Sequence, residues 1–149
     1  MIHLSNIRDK RLPETDVTYA IMRSVKSVTL EYCTFQKEEL APSDTLFQRY
    51  YAMKQAGHWN KDSFENIYVG QFLYELVRNK QAINALNFIY NLSKSGANIE
   101  LACSCVNEEL CHRSIIGGIF LGFGAKIECN PDYMKYSKLY FQALHERDS

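Results

Sequence analysis

The chain has 149 residues, 46% of them hydrophobic and 23% charged, and its 17 basic residues balance its 17 acidic ones. That length allows one domain with a sizeable core, in the composition of an ordinary globular protein. Zero net charge argues against a broad grip on a nucleic-acid polymer, and no run approaches the roughly 18–20 apolar residues of a membrane span, so neither partner is expected.

In chain order, Ile2 to Ile7 alternates loosely and predicts a first strand, with polar Ser5, Asn6 and Arg8 at its end. Val17 to Met22 reads as a short helix or turn. Val25 to Cys33 carries β-branched and aromatic residues in partial alternation (Val28, Leu30, Tyr32) and reads as a second strand. After connecting chain from Glu38 to Pro42, Ser43 suits an N-cap, and Leu46, Phe47, Tyr50, Tyr51 and Met53 recur at helical spacing until Gly57. His58 to Lys61 is expected as an exposed loop. Asp62 or Ser63 would cap the next helix, with Phe64, Ile67, Tyr68, Phe72, Leu73 and Leu76 on its apolar side. A further helix is predicted from Gln81 to Ser95.

Ile99 to Ala102 then reads as a strand, and Ile115 to Phe123 as an apolar helix. A short strand follows at Ala125 to Cys129. Pro131 suits the first turn of a last helix, Asp132 to Glu146, whose Tyr133, Tyr136, Leu139, Tyr140, Ala143 and Leu144 share one face. That face reads as core, or as the seam of a homodimer. Strands alternating with helices predict a single α/β domain over residues 1–149, with a small, mainly parallel sheet of roughly four or five strands flanked by helices.

Chemistry is concentrated between the last long strand and the helix after it. Cys103, Cys105, Cys111, His112 and Arg113 fall within Leu-Ala-Cys-Ser-Cys-Val-Asn-Glu-Glu-Leu-Cys-His-Arg. A helix N-terminus there collects unpaired backbone N–H groups and a positive dipole end, which suit an anion. Arg113 would add a planar fork for phosphate, and the same field would favour a thiolate at Cys111. The strand places its loop at the carboxyl edge of the sheet, where ligands bind in open α/β folds. A parallel first strand would bring Asn6 and Arg8 to that edge. Arg8, Lys10, Arg11 and Arg113 would then make a local basic pocket for a small anion.

Cys103, then Cys111-His112-Arg113, with a strand before and a helix after, resembles the signature of domain-of-unknown-function family 488. That family is a small α/β group common in bacteria and phages, whose usual pattern is an apolar run, Cys-x-Glu, a short gap and Cys-His-Arg. The likeness extends weakly to Phe64–Tyr68, Leu73 to Leu92 and Gly124–Ile127, and Cys105 stands where the family usually has the glutamate. The resemblance implies an α/β fold and, from the family's distribution, the setting of a phage accessory protein.

These residues predict a site for a phosphate-bearing small molecule, a nucleotide or nucleotide derivative. Arg113, Ser114, Asn6, Arg8, Cys105 and Trp59 are the candidate binding residues. If the protein is an enzyme, Cys111 or Cys103 would be the nucleophile and His112 the acid–base partner. One alternative is a non-catalytic binder that sequesters a nucleotide signal. Another is a structural or zinc-binding cysteine cluster. Cys103, Cys105, Cys111 and His112 are the right donor types for zinc, but one residue between cysteines is shorter than the usual spacing. Adjacent Cys111 and His112 need a sharp backbone turn to share an ion. No metal or cofactor is therefore expected. Arg113 could instead pair with Glu108 or Glu109. The odd count of five cysteines, with no basic-then-apolar leader at Met1-Ile-His-Leu-Ser, suggests reduced thiols in a cytoplasmic protein, with Cys33 and Cys129 as packing residues.

Overall fold

The computed structural model describes residues 1–8, 15–23 and 35–147. Five strands form one parallel sheet: β1 (Ile2–Asn6), β2 (Val17–Ala20), β3 (Phe35–Gln36), β4 (Ile99–Cys103) and β5 (Ile127–Glu128), in the order β3-β2-β4-β1-β5. β4 is central and fully buried. Its Ile99, Leu101 and Cys103 join the main core beneath the helices, while Ala102 joins a smaller cluster with Ile7 and Ala20. This is the two-residue alternation of a strand that must be apolar on both faces.

The helices are α1 (Asp44–Gln55), a single turn α2 (Lys61–Ser63), α3 (Val69–Val77), α4 (Lys80–Lys94), α5 (His112–Gly122) and α6 (Met134–Arg147). Ser43 caps α1, accepting from the Leu46 N–H. A π-helical stretch, Phe64–Tyr68, joins α2 to α3. Apolar α5 lies among the sheet, α3 and α6. Nine of its residues are buried, which explains why its sequence lacks a polar stripe. Gly118 and Gly122 allow α6 to approach: a Cβ at Gly118 would overlap the Tyr133 carbonyl, and one at Gly122 would overlap the Ser137 side chain.

Several expectations are corrected. Val17–Ala20 is a strand because it pairs with central β4, Val17 opposite Ile99 and Ala20 opposite Ala102. Four residues are too few for periodicity to separate a strand from a helical turn. Asn60, rather than Asp62 or Ser63, caps α2 in a reciprocal arrangement with Ser63. Trp59 is half-buried against Tyr50, Phe64 and Tyr68, so the span from His58 to Lys61 is not simply an exposed loop. The strand expected at Val25 to Cys33 falls at residues 24–34, outside the described residues. Tyr136 and Tyr140 on α6, and Tyr133 in the 3₁₀ turn just before it, are buried, whereas Leu139 and Phe141 on α6 are exposed.

Candidate functional site

All strands point the same way, so their carboxyl ends meet at one edge. Asn6 lies opposite Cys103 in the register, and the Ile21 N–H donates to the Ala102 carbonyl. The chain leaves β4 at Cys103, turns through Ser104 to Asn107, makes a short 3₁₀ turn (Glu108–Leu110) and enters α5. Two donors pin the loop at one oxygen: Asn6 Nδ2 gives to the Cys105 carbonyl at 3.1 Å and Arg113 Nη2 gives to it at 2.6 Å. The loop therefore folds Cys105 back toward Cys103, with their sulfurs 3.7 Å apart.

Cys111 has extended backbone (φ −120°, ψ 150°) immediately before helical His112. That abrupt change brings two adjacent side chains together, with Cys111 Sγ 3.6 Å from His112 Nδ1. Cys103 Sγ is 4.0 Å from the same nitrogen. The other ring nitrogen, Nε2, lies 2.6 Å from the Ile21 carbonyl. A carbonyl only accepts, so Nε2 carries the proton in this bond and Nδ1 faces the sulfurs.

Electrostatics divide the thiols. Burial alone would raise Cys111, but hydrogen bonds from Cys103 and Cys105 and the charge of His112 reverse this and hold it well below the usual thiol range. For Cys103 the hydrogen bond with Cys105 lowers the value, but Cys111 and burial outweigh it and push it up to about 12. Cys105 is also raised, by hydrogen bonding with Cys103 and Cys111 and by burial. Burial works against the charge of His112, yet the negative sulfur of Cys111 leaves its value raised.

A cavity of about 340 Å³ opens on this cluster. Cys103, Cys105, Cys111 and His112 form one side. Phe47, Tyr50 and Tyr68 form an aromatic side, and Arg23 and Asp44 also line it. Tyr68 is supplied by the π-helical stretch, a distortion often found at functional sites.

The candidate residues are thus placed unequally. Cys103, Cys105, Cys111 and His112 line the cavity and converge. Asn6 acts on the loop. Arg113 is buried behind it, bonded to Cys105, and does not line the cavity; among the described residues its Nε has no hydrogen-bond partner and no ion pair joins it to Glu108 or Glu109, although, against the cost of burial, the Cys111 sulfur and the Glu108 charge favour its charged form. Glu108 instead accepts from the Tyr133 hydroxyl at 2.8 Å. Ser114 is fully buried and donates to the Cys111 carbonyl. Arg8 is exposed, its backbone N–H bonded to Asn6 Oδ1, away from the cavity wall. Lys10 and Arg11 lie outside the described residues. Trp59 braces Tyr50 and Tyr68 from behind, with ring centres 4.6 and 5.5 Å away. Sequence reasoning missed Arg23, Phe47, Tyr50 and Tyr68 as wall residues. The three aromatic rings carry the helical spacing that core residues also carry, and nothing local set them apart.

No curated protein and no solved structure matches the chain. A family model described as DUF488-N3a, the active DUF488-N3 subclade, matches residues 3–122 and so takes in strands β1 to β4, the cysteine loop and α5, ending before β5. The chain belongs to the DUF488 family.

Proposed function

We propose that this protein binds a phosphate-bearing aromatic small molecule, of the nucleotide class, in the cavity above the Cys-His-Arg loop. The observation that carries this reading is the opening of the start of α5 onto one cavity walled by aromatic rings from α1 and the π-helical stretch, with Arg23 beside them. The start of α1 contributes Ala41, Pro42, Asp44, Phe47 and Gln48, and the start of α5 contributes Cys111 and His112. Helix starts favour anions, and no side chain caps α5. Phe47, Tyr50 and Tyr68 offer faces and edges for a planar ring. About 340 Å³ falls in the range of small-molecule sites.

Among the described residues, Arg23 supplies the guanidinium on the wall. Its Nε donates to the Pro42 carbonyl at 3.0 Å and lies 3.6 Å from Asp44, which holds the guanidinium at the mouth. Arg23 thus takes the phosphate-facing role expected of Arg113, while Arg113 shapes the loop. Cys103, Cys111 and His112 face the same space, so any chemistry on the ligand is met there. The family model's description of its subclade as active supports a site that does more than hold its ligand.

The test is thermal unfolding against a panel of nucleosides, nucleotides and cyclic nucleotides, followed by mass analysis of the recovered ligand. A nucleotide should raise the midpoint more than its nucleoside, and Arg23→Ala should remove that difference. No shift with any member of the panel, in a folded sample, would overturn the reading. Altered ligand identifies an enzyme. Ligand recovered unchanged identifies a binder that sequesters it.

A further inference from the structure

We propose that Cys103, Cys105, Cys111 and His112 bind one soft divalent transition-metal ion of the zinc class in a tetrahedral shell of three sulfurs and one nitrogen. Their donor atoms all lie within 4.8 Å of one another. With metal–sulfur bonds of about 2.3 Å and metal–nitrogen bonds of about 2.0–2.1 Å, a tetrahedron has sulfur–sulfur edges of about 3.8 Å and sulfur–nitrogen edges of about 3.6 Å. The separations here are 3.7 Å for Cys103 to Cys105, 3.6 Å for Cys111 to His112 and 4.0 Å for Cys103 to His112. Three of the six edges of the shell thus lie within a few tenths of an ångström of these values, and the other three pairs stay within 4.8 Å.

The surroundings also suit an ion. His112 presents Nδ1 to the sulfurs while the Ile21 carbonyl receives its Nε2–H at 2.6 Å. A metal-binding imidazole is commonly oriented in this way, because the outer hydrogen bond selects the tautomer and aims the free lone pair. Three thiolates and a divalent ion leave one negative charge in a mostly buried place. Arg113, itself buried, supplies the compensating positive charge directly behind the loop, and among the described residues its Nε has no hydrogen-bond partner. Thiolates and imidazole select zinc-like ions over magnesium or calcium, which take oxygen ligands.

The two objections raised by the sequence are both answered by the backbone. Cys-x-Cys is too short a step for two ligands along a regular strand, but β4 ends at Cys103 and the loop returns Cys105 over it. Cys111 and His112 are neighbours, but the change from extended to helical backbone between them turns both side chains inward. With four protein donors the shell is closed, the pattern of a structural site, so with the ion bound Cys103, Cys111 and His112 act as ligands and not as nucleophile or acid–base groups. The ion would tie the end of β4 to the start of α5 and hold the loop that forms one side of the cavity. This inference does not rest on the nucleotide reading: metal binding and nucleotide-induced stabilisation are measured separately, and either can fail alone.

The experiment is titration of the reduced, metal-free full chain with Co²⁺, followed by displacement with Zn²⁺, read by absorption and by native mass spectrometry. One equivalent of cobalt should give the intense visible bands of a tetrahedral thiolate site, zinc should abolish them, and one bound zinc should remain. Cys105→Ser and His112→Ala should each weaken or shift the bands, while Cys129→Ser should leave them unchanged. Because a variant could unfold, the wild-type titration decides by itself. Absence of tetrahedral bands in folded protein with all its thiols reduced would overturn the proposal, as would bands that survive unaltered in both ligand variants.

Discussion

At the scale of single residues, burial gives two side chains roles that their residue types alone do not. Arg113 is almost fully buried and spends a guanidinium N–H on the Cys105 carbonyl. Removing it leaves a gap and a loop carbonyl held by Asn6 alone. Arg113→Ala should destabilise the fold by about 2–4 kcal/mol, the range for losing a charge-assisted hydrogen bond together with buried packing. Urea unfolding should show a lower midpoint with an unchanged slope. The Cys-His-Arg triplet was legible as a candidate site because thiol, imidazole and guanidinium groups adjoin an apolar helix. That Arg113 faces inward was not, since an arginine at a helix start suits an anion or a loop carbonyl equally well. Cys129 makes a second case. Burial, and then the charge of Glu108, push its thiol up to about 11. The folded value lies above the ordinary thiol value, so the neutral thiol is favoured by folding. That contribution is complete below the ordinary value and is lost as pH rises toward about 11. Iodoacetamide mapping should find Cys129 slow at neutral pH and faster only in alkaline solution, and Cys129→Ser should flatten part of the alkaline loss of stability.

At the scale of elements, the contact between α5 and α6 depends on missing side chains. Gly118→Ala and Gly122→Ala place a methyl group against the Tyr133 carbonyl and the Ser137 side chain, so the helices must part. Each change should cost roughly 1–3 kcal/mol as overpacking, despite the better helix propensity of alanine. Denaturant midpoints that rise would refute the close approach. Asn60→Ala should remove the cap of α2 and cost about 1 kcal/mol. Long helices were readable because their apolar residues repeat over several turns, and α4 (Lys80–Lys94) begins one residue from its expected start. Val17–Ala20 was not readable as a strand, because what holds it is pairing with β4, some 80 positions later in the chain.

At the scale of the whole molecule, the tyrosine face of α6 is occupied by the protein's own core. Tyr136 and Tyr140 are nearly inaccessible, and Phe123, Phe64 and Tyr133 surround them. Tyr136→Glu with Tyr140→Glu should therefore unfold the chain rather than release a folded monomer from a dimer, since buried carboxylates without partners are costly. Circular dichroism together with sedimentation distinguishes these outcomes, and a folded double variant would show that the face is a seam. Among the described residues, no helix is long and apolar enough to cross a membrane.

The sequence by itself determined the fold class and the place where its reactive residues gather. Strand-like and helix-like runs alternate strongly enough to imply a parallel sheet, and Cys103 to Arg113 is the one place where reactive residues crowd a strand-to-helix turn. Tertiary structure decided what surrounds that place. The aromatic wall comes from α1 and the π-helical stretch, and the carbonyl that orients His112 lies at Ile21, 91 positions away. The convergence of the four donors depends on how the chain leaves β4 and enters α5. Periodicity reports which face of an element is buried. It carries no record of which distant element covers that face, or of the angle at which a loop turns back, because packing across the whole sheet sets both.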